Sequence, residues 1–348
     1  MATNSTGTET VTIYGRPILV KNEKWQVDQL RLNPDNPRLR HELLLGNKVL
    51  TEQEIEDLLW DEDRTKKLYQ SILGSGGIQN PLWIYETGAT IEGNRRVVVA
   101  RKLKANLQSG KLTGQDANVA QTICNNIPAK ILPGDIGVKE IDVLLAREHI
   151  SGKYPWPAVD QAEHIHRMAN QDGFPIETIA EVTERSRPWV YQKLTAFEWT
   201  RNYLRNNTRA SILDHSYFEE LYKVRASLKK NGSFDPGDSK DMAYFQTLIS
   251  GGKIPMAIQV RHLPDVLADA DAKRVLENEG MEKAWIAIST KNPAISSPTF
   301  QALSAATQAL QTIPRNEYLD IPQDSAKKKL IFELSNELDK LRKDLKIH

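Results

Sequence analysis

Two stretches of this chain hold residues whose types and spacing could do chemistry. The first is Ile91-Glu92-Gly93-Asn94-Arg95-Arg96-Val97, where an extended run gives way to a helical one. A helix start offers unpaired N–H groups and a partial positive charge, and glycine lets a phosphate approach the backbone closely. Two arginines add charge-assisted, bidentate bonds to phosphate oxygens. The same residues also suit a plain solvated helix start, with Arg95 and Arg96 paired to the acidic stretch between Glu52 and Asp63.

The second stretch is Ile176 to Leu194, which reads as a helix-turn-helix. Ala180 falls where two helices would cross and only a small side chain fits. Ile179, Val182, Val190 and Leu194 would form the shared core. Ser186 is a good N-cap, and Pro188 falls in the first turn, where its missing N–H costs nothing. The second helix would present Arg187, Trp189, Tyr191, Gln192 and Lys193 on the half that enters a major groove. Glu184 stands where glycine is usual, so the turn must tolerate a strained residue. Arg185, Arg187, Lys193, Arg201, Arg205 and Arg209 face one acid, Glu198, in this stretch. That local basic excess is an electrostatic footprint for double-stranded DNA. A helical hairpin with a solvated basic face is the bland alternative.

The elements that position these stretches can be read around them. Thr51 to Glu54 forms a capping box opening a helix to about Trp60, and Asp63 caps a second helix stopped at Gly74 to Gly77. Pro81 to Tyr85 reads as a buried strand, Gly88 as a turn and Ala89 to Ile91 as a returning strand, with a helix from Val97 to Leu107. Gln108 to Asn126 is either a polar loop or an extra helix before the strand Ile127 to Leu132. Beyond Pro133 the chain is helical, with a hinge expected at Pro155-Trp156-Pro157. The expected fold class is α+β. A disordered tail (residues 1–10) precedes a small mixed α/β domain (11–135) and a helix-turn-helix domain (136–204). A helical domain (205–320) and an amphipathic C-terminal helix (321–348) follow.

Composition narrows the field. The chain has 348 residues, 46 basic and 45 acidic, so nothing at whole-chain level favours nucleic acid and the signal must be local. One cysteine, Cys124, excludes a disulfide framework and reads as a small buried residue. His164, His166, His215 and His262 lack metal-site spacing. No apolar run approaches the ~20 residues of a spanning helix, and the first ten residues lack the apolar core of a signal peptide. A soluble cytoplasmic protein, with no membrane partner, is expected.

The order of these elements resembles the ParB/sulfiredoxin-like superfamily, and ParB-type partition proteins in particular. The likeness rests on Asn33-Pro34-Asp35-Asn36-Pro37-Arg38, on Ser71-Ile72 followed by Gly76 to Leu82, and on the Gly93 turn. It continues through Leu145 to Ile150 and the helix-turn-helix, spanning about residues 25–200. The resemblance implies a nucleoside triphosphate, CTP or ATP, with its phosphates on Gly93, Asn94, Arg95 and Arg96. The base or ribose would lie near Gly77, Ile78, Gln79 and Asn80. Asn94 stands where the family has glutamate. Glu148 matches the family's Mg²⁺-holding glutamate, whereas His149 replaces its asparagine. Sulfiredoxin chemistry is not implied, because the turn has no cysteine. The implied DNA-binding residues are Arg185, Ser186, Arg187, Trp189, Tyr191, Gln192 and Lys193.

The leading expectation is a DNA-binding protein regulated by nucleotide and Mg²⁺, acting in plasmid, phage or chromosome partition or in transcription. Slow nucleoside triphosphate hydrolysis is compatible with this, but no catalytic residue is assigned. Other readings are a nuclease, a small-molecule kinase, or a plain repressor without nucleotide. The nuclease ranks lower because no clustered Asp/Glu/His set is visible. Ile331, Leu334, Leu338, Leu341 and Leu345 alternate steps of three and four, the seam of a short coiled coil. That seam either joins a homodimer or packs on its own subunit.

Overall fold

The computed structural model describes residues 7–34, 50–152, 155–208, 210–292, 297–311, 313 and 320–346. The class is α+β, with one small mixed sheet followed by a long helical region. Contacts divide the chain into two units, Met1–Pro264 and Asp265–His348.

The first unit is built on five strands: β1 (Gly7–Ile13), β2 (Arg16–Trp25), β3 (Leu82–Tyr85), β4 (Thr90–Glu92) and β5 (Ile127–Leu132). Their order across the sheet is β1-β2-β5-β3-β4, and only β3 and β5 run parallel. The β1–β2 hairpin corrects the expected disordered tail, because its first strand starts at Gly7 and pairs Thr10 with Leu19 and Ile13 with Arg16. Tyr14 and Gly15 both take positive φ, 50° and 74°, the geometry that twists a two-residue hairpin with its strands. The expected tail residues 1–6 lie outside the described residues.

Helices cover both faces of this sheet. On one side lie α1 (Glu52–Asp61), α2 (Asp63–Ser75), α3 (Asn94–Gln108) and α4 (Gly114–Asn125). Their Ile55, Leu59, Ile72, Val98, Leu103 and Ile123 pack with Leu82, Ile84, Ile127 and Ile131 of the sheet. The capping box of α1 forms as its sequence demands, with Thr51 Oγ accepting from the Glu54 N–H and Glu54 accepting from the Thr51 N–H. The stretch 108–126, left open as loop or helix, contains α4. Cys124 is buried on it, and burial pushes its thiol up.

On the other face lie α5 (Val138–Ala146), a π-helical turn (Arg147–Ser151), α6 (Ala158–Asn170), α7 (Ile176–Val182) and the start of α8 (Arg187–Asn206). Ile13, Ile18, Val20, Trp83, Ile91 and Leu132 of the sheet share one apolar cluster with Val143, Ile165, Ile179 and Val190. The boundary expected near residue 135 is therefore not a gap between cores. Trp156 does not mark an open hinge either: it is 3% exposed, stacked on His149 at 4.4 Å and set edge-on to His164. Burial of the Trp156 indole in this cluster outweighs the local bias of the flanking prolines.

The unit continues through α9 (His215–Lys230) and α10 (Ser239–Ser250), and the boundary between units falls in the short α11 (Leu263–Ala268). The second unit holds α12 (Ala270–Glu279), α13 (Met281–Lys291), α14 (Pro298–Gln311) and α15 (Ser325–Leu345). Among the described residues, no helix is long and apolar enough to cross a membrane.

The turn between α7 and α8 forms despite its glutamate. The Arg185 N–H donates to Ala180 O and the Glu184 N–H to Glu181 O, the paired bonds of a Schellman C-cap, and Glu184 sits at φ 53°. The left-handed region costs an L-residue about 1 kcal/mol or more. Glu184→Gly should therefore raise the thermal midpoint, by about 1 kcal/mol or less in stability, whereas β-branched Glu184→Val should lower it. Thermal melts of the two variants check this; equal midpoints would mean the turn carries no strain.

Candidate nucleotide turn and DNA-facing helix

Gly93 joins β4 to α3 with φ 118°, a conformation side chains rarely adopt. A Cβ there would also lie 2.2 Å from Leu82 Cδ2, so both backbone and packing require glycine. The Arg96 and Val97 N–H groups donate to Gly93 O, which leaves the Asn94 and Arg95 N–H groups as the first of α3 without a helical acceptor. This is the anion-receptive end of a 15-residue helix.

The side chains divide the work differently from the sequence expectation. Asn94 is 4% exposed and points inward, so its side chain cannot hold a phosphate. Its Oδ1 accepts from the Asn33 N–H at 3.1 Å and its Nδ2 donates to Asn33 O at 2.9 Å, while the Thr90 hydroxyl also donates to Oδ1. An amide alone offers a donor and an acceptor side by side; a carboxylate would lose the bond to Asn33 O. The turn is thereby tied to the Asn33-Pro34 element. The rest of that motif, Asp35 to Arg38, lies outside the described residues.

Arg96 is likewise turned in. Its Nη1 donates to Asn80 O at 2.6 Å and Pro81 O at 2.8 Å, and its Nη2 pairs with Glu92. Burial lowers its pKa to about 10, with Glu148 opposing the shift, so it stays charged at neutral pH. Arg96 thus brings the Gly93 turn against the loop of Gly77, Ile78, Gln79 and Asn80. Of these four, Gln79 and Asn80 are exposed, and Ile78 is buried in the core. Arg95 is the less committed arginine. It faces Glu62 at 3.6 Å, and burial lowers its pKa, opposed by Glu62 and reinforced by Arg64. The pairing with the acidic stretch is therefore real for Arg95, but Glu52 and Glu56 bind Arg101 instead, at 2.7 and 3.2 Å.

The π-helical turn comes down onto the same place. Trp83 Nε1 donates to Glu148 Oε1 at 3.3 Å, and His149 Nε2 lies 3.3 Å from Glu92 Oε1. Gly152 permits this wide turn, since a Cβ there would meet Glu148 O at 2.1 Å. Glu148 is exposed beside the Gly93 turn, whereas His149 is stacked on Trp156 and aimed at Glu92. Among the described residues, no group of three or more His, Cys, Asp or Glu is placed to hold a metal ion. Glu92, which bridges Arg96 and His149, was not singled out from sequence. Its spacing four residues before Arg96 is the signal that could have found it.

In the helix-turn-helix, Ser186 Oγ accepts from the Trp189 N–H at 3.4 Å and caps α8 as expected. Ser186, Arg187 and Tyr191 are exposed, and Gln192 and Trp189 are partly so. Arg187 has a surface ion pair with Glu177 at 3.3 Å. Arg185 lies over the Trp189 ring at 5.5 Å and donates to Ile150 O at 3.5 Å. Lys193 departs from the expectation. It is 5% exposed, paired with Glu219 of α9 and set 5.3 Å over Trp189, so it is not on the outward face. The sequence could not show this, because Glu219 is 26 residues away. Arg201 is also engaged, at 3.0 Å from Glu198, and Arg209 lies outside the described residues. The outward basic face is narrower than the count of arginines and lysines suggests.

No protein-family model matches the chain, and no curated protein matches it. Among solved structures, the chain is similar to the C-terminally truncated chromosome-partitioning protein ParB from Caulobacter crescentus complexed to the centromeric parS site. That match has 14% identity and a TM-score of 0.34, covering 70% of this chain and 98% of the other. The same protein complexed with CTP-γ-S matches with 16% identity and a TM-score of 0.21, covering 58% and 97%. A Pnob8-like ParB-N domain matches with 11% identity and a TM-score of 0.29, covering 83% and 99%.

The Lys193–Glu219 pair has a pH signature. Burial pushes the Glu219 carboxyl up, but its bond to His215 and the Lys193 charge more than offset this and hold it at about 2, against 4.5 ordinarily. Burial also pushes His215 below its ordinary 6.5. Both groups bind protons more readily when unfolded at acid pH, so both contribute stability that is full at neutral pH and lost on acidification. The His215 contribution starts to fall below 6.5, and that of Glu219 falls from 4.5 toward 2. Melts across this range should show Glu219→Gln losing the carboxylate-linked fall toward 2. The fall that begins below 6.5 should remain and extend further down, because His215 has lost the carboxylate that favours its charged form. A curve of unchanged shape would rule out the ion pair.

Proposed function

We propose that this chain is a ParB-like DNA-binding protein whose grip on double-stranded DNA is regulated by a nucleoside triphosphate. The observation that carries the reading is the helix-turn-helix, with a Ser186-capped α8 that turns Arg187, Tyr191 and Gln192 outward beside Arg185. The Gly93 turn supports the nucleotide. Phosphates would sit on the Asn94 and Arg95 N–H groups and the Arg95 guanidinium, and the base or ribose would lie against Gly77 to Asn80. Arg96 would hold these two halves together rather than touch the ligand.

Glu148 fits a Mg²⁺ that arrives with the triphosphate, because one exposed carboxylate suits an ion otherwise bound by phosphate oxygen and water. Bound there, Mg²⁺ would supply charge neutralisation for the phosphates. His149 would instead orient Glu92. The choice of CTP or ATP, and a role in partition or in transcription regulation, are parts of this same proposal. A route for coupling is present in the contacts. Glu148 and His149 touch the sheet and the turn, and the next residue, Ile150, accepts from Arg185 at the head of α8. A ligand that shifts the turn would bias the DNA-facing helix.

In the second unit, α15 buries no residue, and Leu338, Leu341 and Leu345 are exposed along it. A second copy pairing along this seam would give the homodimer. Sedimentation of the chain ending at Asp324 should then report a monomer where the full chain is a dimer, and a dimer of the shortened chain would dismiss the seam.

Arg95→Ala should abolish triphosphate binding in calorimetry with Mg²⁺ and leave the melting midpoint near the parent's. Arg96→Ala should lose binding and about 1–3 kcal/mol of stability, because it leaves the Asn80 and Pro81 carbonyls without their donor and Glu92 with His149 alone. Unchanged nucleotide affinity in both variants would place the site elsewhere.

For DNA, Arg187→Ala should weaken binding to all duplexes and reduce the salt slope by roughly one. Gln192→Ala should cost ~1–3 kcal/mol on a duplex selected by the parent protein and little on random DNA. If both variants bind like the parent across a salt series, α8 does not face DNA.

A further inference from the structure

The residue on α8 most readily taken for a DNA contact is the one the fold buries. Lys193 keeps only 7% of its side chain exposed, Glu219 16% and His215 2%. The Lys193 ammonium pairs with Glu219 Oε1, and His215 Nε2 lies 3.5 Å from the same oxygen. His215 Nδ1 lies 2.9 Å from the Thr200 hydroxyl, which donates back to Ala196 O at 2.7 Å. The chain of contacts leaves α8 at Lys193, crosses to α9 and returns to α8 two turns later. Apolar packing surrounds it, with Phe197 near His215 and Tyr203 near Phe218.

An apolar interface alone tolerates sliding and rotation between two helices, because dispersion contacts carry little direction. A buried ion pair does not, since displacing either partner leaves a charge without water or counter-charge. Lys193 follows Gln192 and Tyr191 directly, so any rotation of α8 that moves those side chains also pulls the ammonium from Glu219.

We propose that Glu219 and His215 of α9, through Lys193, set the rotation of α8 about its own axis, and so act as positioning residues for DNA recognition. This gives residues 215–230 a role that their sequence does not announce. The inference rests on α8 being the DNA-facing helix.

The test uses full-length Glu219→Gln, Lys193→Met and the double variant. Titrations use labelled duplexes, one selected from a randomised pool by the parent protein and one of random sequence, well below every melting midpoint. Glu219→Gln removes a negative charge, which on simple electrostatics should tighten DNA binding. Positioning instead requires it to weaken the selected duplex about tenfold, with little change on the random one. Lys193→Met should weaken the selected duplex similarly and leave the salt slope unchanged, and the double variant should lose less than the two losses added.

A salt slope reduced by about one in Lys193→Met would show that Lys193 reaches phosphate, and would overturn the proposal. So would Glu219→Gln binding the selected duplex as tightly as the parent. Arg187→Ala and Gln192→Ala separate the two levels. If neither of them changes DNA binding, the DNA-facing reading of α8 has failed, and the positioning role falls with it.

Discussion

The guanidinium of Arg96 is the contact on which the rest of the candidate site depends. It is held almost out of water between two carbonyls and a carboxylate, at the meeting point of β4, α3 and the loop before β3. Without it, the Asn80 and Pro81 carbonyls would lose the donor that ties the loop before β3 to the turn. Gly93 makes the contact reachable, since only a residue without a side chain can stand against Leu82 in that conformation. The Asn94 and Arg95 N–H groups, the first of α3, have no helical acceptor. A motif that reads as two equivalent arginines is in fact one internal strut, Arg96, and one partly buried arginine, Arg95, that faces Glu62.

The same economy of position explains the π-helical turn at Arg147–Ser151. An α-helical continuation of α5 would point its side chains elsewhere. The wider turn, allowed by Gly152, sets Glu148 against Trp83 and His149 against Glu92, while Ile150 O meets Arg185. π-Turns occur frequently at functional sites because they re-aim a few residues without ending the helix. Here one short segment contacts the sheet, Glu92 beside the Gly93 turn, and Arg185 just before α8. Arg147 adds a bond to Thr12 O, which anchors the segment to β1 as well.

Local rules were readable wherever the cause of the structure is local. The Thr51 capping box, the Ser186 cap, the stop at Gly76 and the strained turn at Glu184 each depend on residues within a few positions of one another. The β1–β2 hairpin was also within reach, since Val11 and Ile13 alternate into Tyr14-Gly15 and then Ile18 and Val20. The threonine-rich opening obscured it. A run of Thr and Glu looks solvated, yet an edge strand with one wet face needs only every second residue to be apolar.

The candidate site divides along the same line. By itself the sequence determined that a glycine and two arginines open a helix and that a capped helix follows a tight turn. Each follows from chain connectivity and backbone preference. Tertiary structure decided what every charged side chain in those motifs does. Arg96 and Asn94 turn inward because Asn80, Pro81 and Asn33, remote in sequence, present backbone groups that must be satisfied. Lys193 is buried because Glu219 stands opposite it on α9. A long flexible side chain has no preferred direction of its own, so its role is set by whichever partner the fold brings within reach, and that partner lies too far along the chain for spacing to reveal.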